Sequence, residues 1–504
     1  MIKLIYRIES DYMSKKRMLI VTSVTLSVVT ISLGIVKLYQ TYALSNYIGT
    51  VTDTGIDVYI NDDSYASIPA NGSSNVYYML TNTNPGTVKY GVAYQTTSGV
   101  TVKVYDTSED PATGTIEEND KKYIKLHLEN KNSTNKTIEL STVLGYENGG
   151  DLVVPSGVTL VTDTYTPPPT AAEYITKLYT TASKTTVTNN SITYNTAPSV
   201  SLMNDRLGGT TTDLDGGNIR YYGASPNNYI YFNCSDYSNQ TSSTCETWRI
   251  IGVFDGKLKL IRGSQIGTYS WDNKNTSTGA ENNYGKNDWT TARLMKLLNP
   301  SDYYTVDSND NNLGQSLYYN STSGKCYSGQ NNATKDCDFT STGIKDTTRN
   351  MIAETTYYLG GWNNVSVYPN QIYEYERGTT VYTGRPTTPW TGKIALAYTS
   401  DYGYAADLNQ CKDKTLYDYN NSTCTSNNWM KAIITNNGSN YGWLLTPGSS
   451  ASYSVWYVYS SGYVYSNGNA SIANGAVPVL SLSSELGIES GGDGSSSNPY
   501  KLSA

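Results

Sequence analysis

Residues 441–482 read YGWLLTPGSSASYSVWYVYSSGYVYSNGNASIANGAVPVLSL, and the pattern of this stretch recurs through much of the chain. An apolar run, Gly442-Trp443-Leu444-Leu445, stops at Pro447-Gly448, and a second, Val477-Pro478-Val479-Leu480-Ser481-Leu482, closes the stretch. Between them, 453–459 and 463–465 are β-prone runs joined across Ser460-Ser461-Gly462, which predicts a β-hairpin. Side chains alternate across a strand. Trp456, Val458 and Val464 therefore fall on one face, and Tyr453, Tyr457, Tyr459, Tyr463 and Tyr465 on the other. A surface hairpin needs only one apolar face. The tyrosine face has two readings: it packs beneath another sheet or loop, or it is an exposed platform that contacts a ligand. These five tyrosines are the candidate ligand-binding residues.

The same punctuation of short β-prone runs by turn residues extends outward along the chain. Thr and Tyr favour strands, and frequent Asn-Gly, Gly-Gly and Asp-Gly pairs favour turns, so the fold class expected is mainly β with minor α. At 504 residues the chain exceeds one ordinary core, and about two or three domains are expected. Charged residues are 16%, against roughly 25% in typical soluble domains, and Ser, Thr, Asn, Gly and Tyr take their place. The net charge is −7 and basic residues cluster only at the N-terminus, which argues against a nucleic-acid partner.

The N-terminus carries an export signal. Residues 1–17 end in Lys15-Lys16-Arg17, and 18–36 (MLIVTSVTLSVVTISLGIV) are long enough to cross a bilayer as a helix. The basic flank predicts a cytoplasmic tail at 1–17, a transmembrane helix at 18–38 and an extracellular remainder, that is, a single-pass protein of the cell membrane. A cleaved signal peptide, with small residues at Ala43-Leu44-Ser45, is the rival reading. Six cysteines form three local pairs, Cys234/Cys245, Cys326/Cys337 and Cys411/Cys424, none with CxxC spacing. Disulfides in an oxidising compartment fit both this pairing and the export signal, and each closed loop is worth roughly 3 kcal/mol in the entropic account.

Beyond the anchor, 46–163 alternates like an antiparallel sandwich: Ile56, Val58 and Ile60 share a parity, as do Val100, Val102 and Val104, and Ile124, Leu126 and Leu128. Several strands at this spacing suggest an immunoglobulin-like β-sandwich, here a spacer. The single histidine, His127, lies out of phase with Leu126 and Leu128 and is expected to face solvent. Residues 164–201 read as a linker: TYTPPP, then a helix opened by a Thr170/Glu173 capping box and packed on the C-terminal domain, then a polar, loosely ordered 184–201. Residues 202–504 form the C-terminal domain. It has strands at 229–233 and 247–254, a hairpin turn at Asp255-Gly256, and helices at 290–299, 343–359 and 427–435.

Three segments carry a resemblance: YIYFN…WRIIGVFDGKLKLI, the helix DWTTARLMKLLN, and the closing GWLLTPG…VPVLSL…GGDGSSSNPYKL. Together they resemble exported Firmicutes surface proteins whose C-terminal domain is C-type-lectin-like, a fold shared with formylglycine-generating-enzyme domains and retroelement variable proteins. The resemblance implies an α+β lectin-like domain over 202–504 with its ligand-contacting positions in the last strands, where 449–474 are rich in Tyr, Ser and Asn. Two departures limit it. The EPN, QPD and WND motifs of calcium-dependent lectins are absent, with Trp271-Asp272-Asn273 the nearest, and the cysteines look like loop staples rather than a catalytic pair.

No cofactor or metal is expected. Histidine-dependent triads and zinc hydrolysis lack a histidine in this domain. Asp307-Ser-Asn309-Asp-Asn311 has calcium-loop character, but Asn312 and Tyr318 stand where glycine and the final acid belong. Glu374/Glu376 and Asp401/Asp407 are the acidic pairs that a carboxylate-dependent glycosidase or cell-wall hydrolase would use. The function expected is a non-enzymatic, membrane-anchored adhesin or receptor that captures an extracellular glycan or protein. A structural surface or biofilm component is the first alternative, and a carboxylate-dependent glycosidase or cell-wall hydrolase the second.

Overall fold

A computed structural model of the chain describes residues 40–43, 47–51, 56–59, 64–82, 86–146, 152–206, 217–273, 284–306 and 313–503. The expected tail 1–17, the transmembrane segment 18–38 and the calcium-like loop 307–312 lie outside the described residues. No helix among the described residues is long and apolar enough to cross a membrane. The described chain is mainly β, and it divides into two compact units, Met1–Pro167 and Pro168–Ala504.

In the first unit, alternation builds two facing sheets. One runs Gln40–Ala43, Gly72–Thr81, Lys121–Asn130, Val100–Tyr105 and Thr164–Tyr165; the other runs Val158–Leu160, Val88–Gln95, Lys136–Tyr146 and Ser64–Ile68, with Thr113–Ile116 beside Val88–Gln95. Val102, Val104, Ile124, Leu126 and Leu128 from the first meet Ile68, Val88, Val92, Ile138 and Leu140 from the second in one core. The odd-numbered residues of Lys121–Asn130 point the other way, and this is where one expectation fails. His127 is only 6% exposed. Its ring stacks on Tyr165 at 3.6 Å, and Nδ1 lies 2.7 Å from the Asn75 amide oxygen. The outer face is open by periodicity alone; the strand Thr164–Tyr165, docked in parallel beside Val100–Tyr105, covers it.

The second unit is built on a sheet of nine strands among the described residues. Its path is Thr185–Asn189, Ile192–Ala197, Leu202–Asn204, Ile219–Tyr221, Glu246–Phe254, Lys257–Arg262, Val479–Ser481 and Ile394–Ala395, with Tyr229–Phe232 also paired to Glu246–Phe254. Asp255 and Gly256 join two central strands with φ of 48° and 70°, the two positive values that a type I′ turn requires. The capping box at Thr170 forms as read: the Glu173 amide donates to Thr170 Oγ1 at 3.2 Å, and the Thr170 amide to Glu173 Oε2 at 2.8 Å. Ile175 and Tyr179 of that helix, Ala171–Thr181, are buried in the second unit's core.

Two stretches depart from expectation. Residues 184–201, read as loosely ordered, supply two sheet strands, because the alternating β-branched residues of TTVTN and ITYNTA can pair although their side chains are polar. Within 343–359, only Asp346–Arg349 is helical. The Ala353 amide donates to the Ser481 carbonyl at 2.8 Å, and Thr355–Tyr357 pairs with Trp390–Gly392, so sheet contacts draw the chain out of the helix. The helices expected at 290–299 and 427–435 are present but shorter, at Arg293–Leu298 and Trp429–Ile434.

The cover over His127 has a measurable consequence. Burial lowers its pKa against the opposing pull of Glu129, so the folded state holds the ring neutral. Below about pH 6.5 the unfolded chain takes up a proton that the folded chain resists, and stability falls as the pH drops. Hydrogen-exchange mass spectrometry of the Lys121–Asn130 strand should show protection falling between about pH 7 and pH 5.5, with a smaller fall in His127→Gln.

Candidate functional site

The site is set by the strand Gly442–Pro447, all of whose residues are buried. Trp443 and Leu445 enter one core and Leu444 another. Ser454–Val458 pairs antiparallel with it, Trp443 opposite Tyr457, and Val464–Asn469 pairs in turn, Tyr457 opposite Tyr465 and Val458 opposite Val464. The hairpin closes where the Gly462 amide donates to the Tyr459 carbonyl and the Tyr459 amide to the Tyr463 carbonyl, both at 2.8 Å. Gly462, at φ +108°, adopts a conformation that side-chain-bearing residues avoid.

Trp456, Val458 and Val464 are fully buried, and the Trp456 indole donates to the Trp362 carbonyl at 2.7 Å. On the opposite face, Val455 is buried in the other core, Tyr457 packs against that core's edge, and the remaining rings run out to the surface. Tyr457, Tyr459, Tyr463 and Tyr465 are each half-buried. Tyr459 and Tyr463 stack at 4.5 Å and 14°, and Tyr457 lies 6.1 Å from Tyr459 and 6.3 Å from Tyr465.

Tyr453, grouped with these by parity, does not join them. It precedes the strand, a register shift separates Val455 from Tyr457, and its ring packs instead on Tyr284 at 5.0 Å. Two other rings complete the cluster. Tyr441 packs on Tyr459 with centroids 4.1 Å apart and the rings tilted by 33°, and alternation carried back from Trp443 would have found it. Tyr417 lies 5.6 Å from Tyr463 and 6.1 Å from Tyr465. It rides on the turn Leu416–Asp418 inside the loop closed by Cys411–Cys424, and no local signal marked it. These two are the most open of the cluster, at 36% and 46% exposed.

The cluster is uncharged. Burial, and then the neighbouring Tyr459 hydroxyl, push Tyr463 up to about 12, and burial with surrounding phenols raises Tyr457 as well. The hydroxyls of Tyr457 and Tyr463 therefore stay protonated near neutral pH, and every phenol of the cluster carries a group that can donate and accept. The surface combines aromatic faces with neutral hydrogen-bonding edges.

The three cysteine pairs are disulfides, Cys234–Cys245, Cys326–Cys337 and Cys411–Cys424. The acidic pairs do not form two-carboxylate sites. Glu374 is exposed, whereas Glu376 is buried and accepts from the Ser400 amide and hydroxyl and the Thr446 hydroxyl. Asp401 is buried and held by Lys259 at 2.5 Å and Arg220 at 2.9 Å, away from the half-buried Asp407. Burial opposes its charge, but the two cations outweigh burial and hold its pKa below the usual carboxylate range. Comparison of the chain with family models, with curated proteins and with solved structures found no match in any of the three.

All eight tryptophans lie in the second unit, so their fluorescence reports its unfolding alone. Trp456→Ala should lower its stability by about 3–5 kcal/mol, as large core truncations do, and Tyr459→Ala by about 1 kcal/mol or less. Urea titrations giving equal losses would contradict the assignment of inner and outer faces. Asp401→Asn, which leaves Lys259 and Arg220 short of a counter-charge, should cost about 3–5 kcal/mol in the same titration.

Proposed function

We propose that the protein is a membrane-anchored cell-surface binding protein, an adhesin or receptor, that captures an extracellular glycan or protein on the tyrosine cluster. The observation that carries this reading is the surface array of Tyr417, Tyr441, Tyr457, Tyr459, Tyr463 and Tyr465, whose rings lie within 4.1–6.3 Å of their neighbours. Tyrosine supplies contact area and a polar edge at low entropic cost, and an uncharged aromatic shelf suits the apolar face of a sugar ring. In this reading residues 18–38 anchor the chain and the first unit is an immunoglobulin-like spacer. The second unit is a C-type-lectin-like domain presenting its last strands to the ligand.

The experiment is an array of glycans and surface proteins probed with the full-length chain in detergent, beside a Tyr457→Ala/Tyr459→Ala/Tyr463→Ala variant whose tryptophan fluorescence matches the parent. Loss of the three rings should weaken binding of the captured ligand by about tenfold or more. Equal binding by parent and variant would remove the tyrosine cluster as the site.

A further inference from the structure

A second concavity in the same unit is built around a buried cation that no acid among the described residues neutralises. Arg249, on the central strand Glu246–Phe254, is 7% exposed. Its guanidinium lies against two rings, 3.7 Å from the centroid of Tyr229 and 4.8 Å from that of Trp429. Its Nε donates to the Asn228 amide oxygen and its Nη2 to the Pro226 carbonyl at 3.3 Å. Asn228 cannot turn away, because its own Nδ2 donates to the Ile250 carbonyl at 2.7 Å. Every partner is neutral. Burial pulls the guanidinium down to about 10, and it remains charged at neutral pH.

That arrangement contrasts with the buried Arg220, which is met by both Asp205 and Asp401. Arg249 lines a groove of about 510 Å³, the size of ordinary small-ligand sites. Glu246, the groove's only carboxylate among the described residues, is already occupied: Arg262 holds it through two contacts, Nε to Oε2 and Nη2 to Oε1, both 3.0 Å. Two guanidiniums against one carboxylate leave one positive charge in the groove of a chain whose net charge is −7. A buried ion without a counter-ion is costly, and a bound anion would relieve that cost.

We propose that this groove is a binding site for a carboxylated sugar, with Arg249 holding the carboxylate. The guanidinium fork matches a planar carboxylate. The rim favours a hydroxylated ligand: Asn436 and Asn437 line the groove, are exposed, and hold positive φ values of 48° and 55°. Their side-chain amides have no protein partner among the described residues, whereas Tyr229 and Trp429 each give an aromatic face to the guanidinium. The site is independent of the tyrosine cluster.

Isothermal titration of the full-length protein in detergent with glucuronate, glucose and inorganic phosphate tests the assignment. Glucuronate should bind saturably, glucose should not, and phosphate should bind more weakly than glucuronate. Arg249→Gln should weaken glucuronate by about tenfold or more, as loss of a charged hydrogen bond does. If that variant misfolds, Asn436→Ala/Asn437→Ala, confined to an exposed rim, decides the matter with an expected loss of about threefold to tenfold. The triple tyrosine variant should bind glucuronate unchanged, which separates this site from the cluster. No binding of glucuronate, equal binding of glucose, tighter binding of phosphate, or unchanged affinity in both groove variants would overturn the proposal.

Discussion

Strand Gly442–Pro447 is buried on both sides and sends alternate side chains into two different cores. Its neighbour Ser454–Val458 inherits the same division, Val455 entering one core and Trp456 the other. Neither strand can slip by a single residue without exchanging the contents of both cores, so the register of the hairpin is strongly specified. That constraint places the tyrosines. Tyr457 stands where one core reaches the surface, and the rings beyond it continue its row into solvent. The second apolar face of the hairpin is therefore one row of residues crossing from interior to exterior.

The second unit treats its buried charges in two ways. Asp401 joins Arg220 and Lys259 and also accepts from the Tyr398 amide at 3.0 Å, which opens the helix Thr399–Tyr404 against the central sheet. Every charge there has a partner, and the result is structural. Arg249 has aromatic faces and neutral oxygens but, among the described residues, no acid. In water-excluded surroundings that difference decides which group is spent on folding and which is left with capacity for a ligand.

Much of the sheet structure was legible in the residues. Alternation located the core faces of Val100–Tyr105 and Lys121–Asn130 and the inner face of the tyrosine hairpin, and Asp255-Gly256 marked the turn between Glu246–Phe254 and Lys257–Arg262. The failures have a common cause. His127 is covered by a strand that arrives from the far end of the unit, and 185–197 forms strands because neighbours were available to pair. Tyr453 left its row because a register shift intervened. Tyr417 joined the cluster from a disulfide-closed loop distant from the hairpin in sequence.

By itself, then, the sequence determined the period of each strand, the turn residues, the cysteine spacing and the helix cap, because each depends on contacts within a few residues. Tertiary structure alone decided which faces met water and which side chains met one another. Whether Tyr457 is core or surface, or Arg249 paired or unpaired, depends on chain segments as distant as the one that carries Trp429. Burial and pairing are properties of the assembled neighbours, and no local pattern encodes them.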